Sequence, residues 1–114
     1  MDDDSKTLKE IDEEIKKGNY LRAETISRTL GCSTQELKAL RIKAFKQFIM
    51  EFRNHQGASE LAKQYQFTKE DINQFIDEII KEAEEKKILE KRQFDTNTMK
   101  YLSLKEWLEI YFKK

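Results

Sequence analysis

The chain has 114 residues, with 22 Lys and Arg against 22 Asp and Glu, one His, one Cys, three Gly and no Pro. That length allows one compact domain, or two very small units sharing a core. A lone Cys excludes an internal disulfide and a Cys-rich zinc site, and no apolar run approaches the ~18 residues of a membrane span.

The start, Met1-Asp2-Asp3-Asp4, is acidic with no apolar stretch behind it, unlike a secretory signal, so a cytoplasmic protein is expected. Charged residues make up 39% of the chain, against roughly 25% in an average protein, which suits long helices with solvated faces. The charge is uneven. Residues 21–56 carry seven bases (Arg22, Arg28, Lys38, Arg41, Lys43, Lys46, Arg53) and three acids, a net of +4, while residues 1–20 are at −3. Overall neutrality argues against a sequence-blind grip on nucleic acid, which needs many cations on phosphates, yet a local basic face is compatible with it.

Apolar residues recurring at three and four predict helices in chain order. The first covers 7–17, with Leu8, Ile11 and Ile15 inward, and stops at Gly18. The second covers 20–30, with Leu21, Ile26 and Leu30 inward, and stops at Gly31. The third covers 34–54, using Leu37, Leu40, Ala44, Phe45, Phe48, Ile49 and Phe52, and stops near Gly57. A short fourth covers 58–66 with Leu61, Ala62 and Tyr65, and a fifth covers 69–86 with Ile72, Phe75, Ile76, Ile79, Ile80 and Ala83. Residues 88–103 break the period. Partial alternation around Asp95-Thr96-Asn97-Thr98 predicts two short strands, with an irregular loop as the alternative. A sixth helix covers 104–112, packing Leu104, Trp107, Leu108 and Tyr111. Four hydroxyl-x-x-acid signals mark helix starts, at Thr7/Glu10, Ser33/Glu36, Thr68/Asp71 and Ser103/Glu106; in such a box each partner satisfies an amide of the other, and Asp71 is the shorter, weaker acid.

Residues 22–45 recur in pattern 35 positions later. Ala23 meets Ala58, Ile26 meets Leu61, Cys32 meets Phe67, Ser33 meets Thr68, Leu37 meets Ile72 and Leu40 meets Phe75. Each copy is a short helix, a turn and a capped second helix. Ser27 and Ala62 are the small residues where two helices would nearly touch. Gly31 suits the turn of the first copy, and Gln66 takes its place in the second. Cys32 reads as a small buried hydrophobe rather than a nucleophile.

On these residues each copy resembles the helix-turn-helix of DNA-binding regulators. The second copy, followed by Ile88-Leu89-Glu90-Lys91-Arg92 and Lys100-Tyr101-Leu102-Ser103, also resembles a winged helix, in which a β-hairpin follows the recognition helix. The expected architecture is therefore mainly α, with about six helices in two helix-turn-helix-like units. Residues 1–56 would form a three-helix unit and residues 57–114 a winged-helix-like unit with a small β-hairpin wing, the two joined into one continuous compact domain.

The resemblance implies contacts with double-stranded DNA. From the first copy these would be Thr34, Gln35, Lys38 and Arg41, with Arg28 on phosphate; from the second, Lys69 and Asn73; from the wing, Lys91, Arg92 and Lys100. Against this, Glu70, Asp71, Asp77 and Glu78 on the second reading helix would repel a phosphate backbone. The alternative is a protein-interaction module or small regulatory subunit on the same scaffold, acting on a protein partner or as a homodimer. Phe94, Tyr101 and Trp107 are expected to pack into the core, and His55 to sit exposed at a helix end. With no phosphate-cradling Gly-rich loop, no His/Cys ligand spacing and no second His for a triad, neither catalysis, a metal nor a cofactor is expected.

Overall fold

The computed structural model describes residues 2–112, with side chains from residue 8 onward. The described residues form α1 (Asp2–Lys16), α2 (Tyr20–Leu30), α3 (Thr34–Met50), α4 (His55–Gln64), α5 (Lys69–Glu85), β1 (Arg92–Asp95), β2 (Lys100–Ser103) and α6 (Leu104–Phe112). The fold is thus mainly helical, with one small antiparallel hairpin, as the hydrophobic periods require. No helix among the described residues is long and apolar enough to cross a membrane.

Turn chemistry explains where the helices stop. Gly18 and Gly31 close α1 and α2 in the left-handed region, at φ +79° and +84°. After α2, the Cys32 amide donates back to the Ser27 carbonyl at 3.0 Å; after α4, the Phe67 amide donates to the Ala62 carbonyl at 2.9 Å. This six-to-one bond is the Schellman closure, and it recurs at the 35-residue offset of the sequence repeat. Gln66 adopts φ +60° to make it, a conformation that costs a residue with a Cβ but not a glycine.

Starts follow the caps. Ser33 accepts from the Glu36 amide at 3.3 Å. Thr68 and Asp71 form a complete reciprocal box, as do Ser103 and Glu106, so the shorter Asp71 still reaches the Thr68 amide, at 3.0 Å. Thr7 begins nothing: α1 starts at Asp2 and runs through it. The third helix also ends earlier than its apolar pattern suggests, because Arg53 turns left-handed at φ +48°. The chain then re-enters a helix at His55, where Asn54 caps by accepting from the Gly57 amide at 2.9 Å. Gly57 accordingly lies inside α4, where a Cβ would come within 2.8 Å of the Phe48 ring.

Three pairs show that α3 and α5 run parallel, side by side. The Lys38 ammonium acts on Asp71, Lys46 Nζ meets Glu78 at 3.0 Å, and Glu51 acts on Lys86. α2 runs antiparallel to α3: Glu24 meets Arg41, and the Lys43 ammonium lies 5.7 Å from the centre of the Tyr20 ring. α3 contributes to every apolar cluster. Leu40 packs with Ile11 and Ala23, Ala44 with Leu61 and Tyr65, and Phe45 and Ile49 with Ile76, Ile79, Trp107 and Leu108. Leu8, Leu21 and Phe52, expected inward, are exposed. The molecule is long, 52 × 27 × 26 Å.

In the hairpin, Arg92 faces Ser103, Gln93 faces Leu102, Phe94 faces Tyr101 and Asp95 faces Lys100. Leu102 is buried under one face, so alternation sends Phe94 and Tyr101 to the other.

Candidate functional site

Two of the positive residues of 21–56, Arg28 and Arg41, converge on an acid rather than on a surface. Glu24 is 1% exposed in α2. Its Oε1 receives Arg41 Nε at 3.1 Å and stands 3.6 Å from Arg28 Nε. The Arg41 guanidinium also lies 5.1 Å from the centre of the Tyr65 ring, so one carboxylate ties α2 to α3 and, through Arg41, to the end of α4. Burial pushes the Tyr65 hydroxyl up to about 12, with the Glu24 charge adding to the rise. Arg28 and Arg41 are therefore engaged within the protein. Arg92 is partly engaged too: its Nη1 donates to the Tyr101 carbonyl at 3.2 Å and lies 3.5 Å from Glu106.

The remaining DNA-contact candidates divide between two ends. Thr34, Gln35, Lys38, Lys69 and Asn73 are all exposed, and the parallel packing of α3 and α5 brings the starts of both helices to one end. Lys91 and Lys100 belong to the hairpin, which is fastened at the opposite end of α3. There Arg53 donates to the Lys91 carbonyl at 3.1 Å and to the Leu102 carbonyl at 3.3 Å. Fifteen residues separate Lys38 from Arg53; at 1.5 Å rise per helical residue the two groups stand roughly 20 Å apart. They do not form one positive surface.

The hairpin end carries the densest polar chemistry. Asp95 Oδ2 accepts from the Thr98 amide at 2.9 Å, the Thr98 hydroxyl at 2.8 Å and the Tyr111 hydroxyl at 2.7 Å. Desolvation pushes the Asp95 carboxyl up, but these bonds outweigh it and hold its pKa below the ordinary carboxylate value. The His55 ring stacks on Tyr111 with centroids 3.9 Å apart and planes 9° from parallel, and its Nε2 lies 3.1 Å from Asn97 Nδ2. His55 is thus a half-buried strut between α4, α6 and the hairpin turn, not the exposed helix end expected from sequence.

Around this strut the surface is aromatic. Phe94 and Tyr101, expected in the core, are 47% and 65% exposed, with ring centroids 5.2 Å apart. Met99 at the turn is 70% exposed, and Phe52 is 54% exposed at the α3–α4 corner. Phe52 and Phe94 line one cavity of about 210 Å³, together with Arg53, Asp95 and Trp107. A second cavity of about 410 Å³ shares Phe52, Arg53, Asp95 and Thr96 with it and continues past His55 and Asn97. Trp107 alone of the three expected aromatics is fully in the core.

Sequence reasoning missed Arg53, counted only as one more base, and missed the outward face of the hairpin. The available signal was the register: if Leu102 is buried, its neighbour Tyr101 must point away. Elsewhere, a groove between α3 and α5 of about 480 Å³ holds Lys43, Lys46 and Lys86, each already on a partner: the Tyr20 ring, Glu78 and Glu82. Compared with known proteins, the chain matches no family model, no curated protein and no solved structure.

Proposed function

We propose that the protein is a protein-interaction module that docks a partner protein at the hairpin end. The observation that carries this reading is the Phe94–Tyr101 pair. Two large rings face each other across the strands on the outward side of the hairpin, and both remain substantially exposed. A fold with a modest core has every reason to bury such rings, and large exposed apolar groups gathered at one end are the common signature of an interface. Charge supports a protein rather than a nucleic acid there. Of the cations at the hairpin, Arg92 lies 3.5 Å from Glu106 and Arg53 donates to the Lys91 and Leu102 carbonyls, so neither is turned towards a phosphate backbone.

The reading is tested by placing a photo-crosslinking phenylalanine analogue at Tyr101 and, as a control, at Lys38, in the cell of origin. A discrete protein adduct from position 101, absent from position 38, is the expected result. Adducts to nucleic acid, or no adduct at position 101, would overturn it.

A second reading, DNA binding at the other end, is favoured by one observation: Thr34, Gln35, Lys38, Lys69 and Asn73 are exposed at the adjacent starts of two parallel helices. Gln35 and Asn73 suit adenine and the two lysines suit phosphates. Glu36 and Glu70 stand among them and weaken the field. On this reading, duplex binding measured by fluorescence anisotropy at low salt is lost in Lys38→Glu. A wild-type protein that shows no low-salt binding removes it.

A further inference from the structure

The outward face of the hairpin does not end at its two rings. Arg92 precedes Phe94 by two residues in β1 and stands on the same face. Its Nη1 donates to the Tyr101 carbonyl at 3.2 Å and lies 3.5 Å from Glu106 Oε1, in the first turn of α6. Both charged side chains stay open to water, 62% and 43% exposed. Ile110 follows Glu106 by one turn on the same side of α6 and is 48% exposed. Two halves therefore adjoin: Arg92 with the Phe94–Tyr101 rings on the hairpin, and Glu106 with Ile110 on α6. Each half pairs one charge with apolar surface, and the two charges are opposite.

That composition is what a twofold contact requires. An isologous interface sets a patch against itself, so the patch must carry its own complement. An axis running between the two halves places Arg92 against Glu106 of a second copy. The same rotation places the rings against Ile110 of that copy, and the four charges at the centre alternate in sign. The exposed Arg92–Glu106 pair is worth little within one chain, so sharing it with a copy costs little. A partner of a single charge would satisfy one half and oppose the other.

We infer that the hairpin end docks a second copy of this chain, as a twofold dimer centred on Arg92 and Glu106. The inference rests on the docking reading and names the partner. Its strength follows from its size. Half-exposed rings of this kind offer on the order of 100 Å² each, and with Ile110 and the two charged side chains one copy contributes roughly 450 Å². A total of roughly 900 Å² is at the low end for a specific contact, so the dimer is reversible, with a dissociation constant of about 10–100 µM.

Sedimentation velocity of the full-length chain, from about 5 to 500 µM, reads the dimer directly. A monomer at the low end and a dimer at the high end are expected. Arg92→Glu sets like charges against each other across the axis and should weaken the dimer at least about tenfold, and Glu106→Lys should do the same. An equimolar mixture of the two variants should dimerise again, because both pairs across the axis are then opposite in sign. Glu106 also caps α6. Should Glu106→Lys fail to fold for that reason, Ile110→Ser should weaken the dimer about tenfold while the helical circular dichroism stays that of the parent.

A chain still monomeric at about 500 µM overturns the inference. A dimer indifferent to both Arg92→Glu and Ile110→Ser is built on another surface and overturns it as well. A photo-adduct from Tyr101 to a different protein, with the chain alone monomeric, would leave the docking reading standing and remove only this one.

Discussion

A buried carboxylate is costly unless its partners are well placed, and Glu24 shows how the arginines of this chain are used. Arg41 and Arg28 reach it from α3 and from one turn further along α2. Removing one member of a buried ion pair strands the others, at about 3–5 kcal/mol when the stranded charge has no escape. Arg28 is half exposed and Arg41 about a quarter, so water recovers part of that cost. Glu24→Ala should destabilise the fold by about 2 kcal/mol in urea unfolding. Arg41→Met should also lower the melting temperature. If it instead weakened DNA binding with stability intact, the structural role assigned to Arg41 would be wrong. Gln66 is the converse case, a side chain where the backbone wants none. Gln66→Gly relieves the left-handed strain at the price of a floppier unfolded chain, and a net gain of roughly 0.5 kcal/mol is expected by thermal melting.

At the level of elements, caps and corners set the ends of helices. Asp71 and Glu106 accept backbone bonds from Thr68 and Ser103, which hold both carboxyls below their ordinary values; Asp95 is held low by Tyr111 and Thr98 against its desolvation. Folded values below unfolded ones mean that the stabilisation is complete above the unfolded carboxylate range. It is lost as pH falls through that range into the lower folded values. Acid unfolding should therefore begin below pH of about 4, with the starts of α5 and α6 and the hairpin turn losing amide protection first in hydrogen exchange. Asp71→Asn and Glu106→Gln should flatten that dependence. The α3–α4 corner has its own constraint in Gly57. Gly57→Ala gains helix propensity but forces a methyl against Phe48 and Asn54, so a net loss of about 1 kcal/mol is expected from denaturant unfolding.

Over the whole molecule, α3 acts as the spine. It joins all three apolar clusters and separates the two candidate ends, the polar starts of α3 and α5 from the aromatic hairpin. Substitutions at the two ends should behave independently, because groups roughly 20 Å apart with no shared partner couple little. Phe94→Ser with Tyr101→Ser should abolish the photo-adduct and leave unfolding within about 1 kcal/mol of the parent, since only a cross-strand pair is lost. Lys38→Glu should leave the adduct intact. If both sets of changes impaired the same interaction, the two ends would not be separate.

The number of helices, most of their starts and stops, the 35-residue repeat and the hairpin were legible in the sequence. Each follows from local chemistry: apolar spacing, a hydroxyl three residues before an acid, a glycine or its substitute after the last turn. Even so, Thr7 carried the cap signal and begins no helix, and the apolar stripe ran through Phe52 although the backbone turned at Arg53. What only the tertiary structure decided was which charges meet and which rings stay outside. A basic residue in a list carries no information about the acid facing it from another helix, so Arg28 and Arg41 read as surface cations until Glu24 is seen between them. Phe94 and Tyr101 read as core for the same reason: alternation shows that two faces differ, and only packing of the hairpin on Arg53 and α6 shows which one is covered.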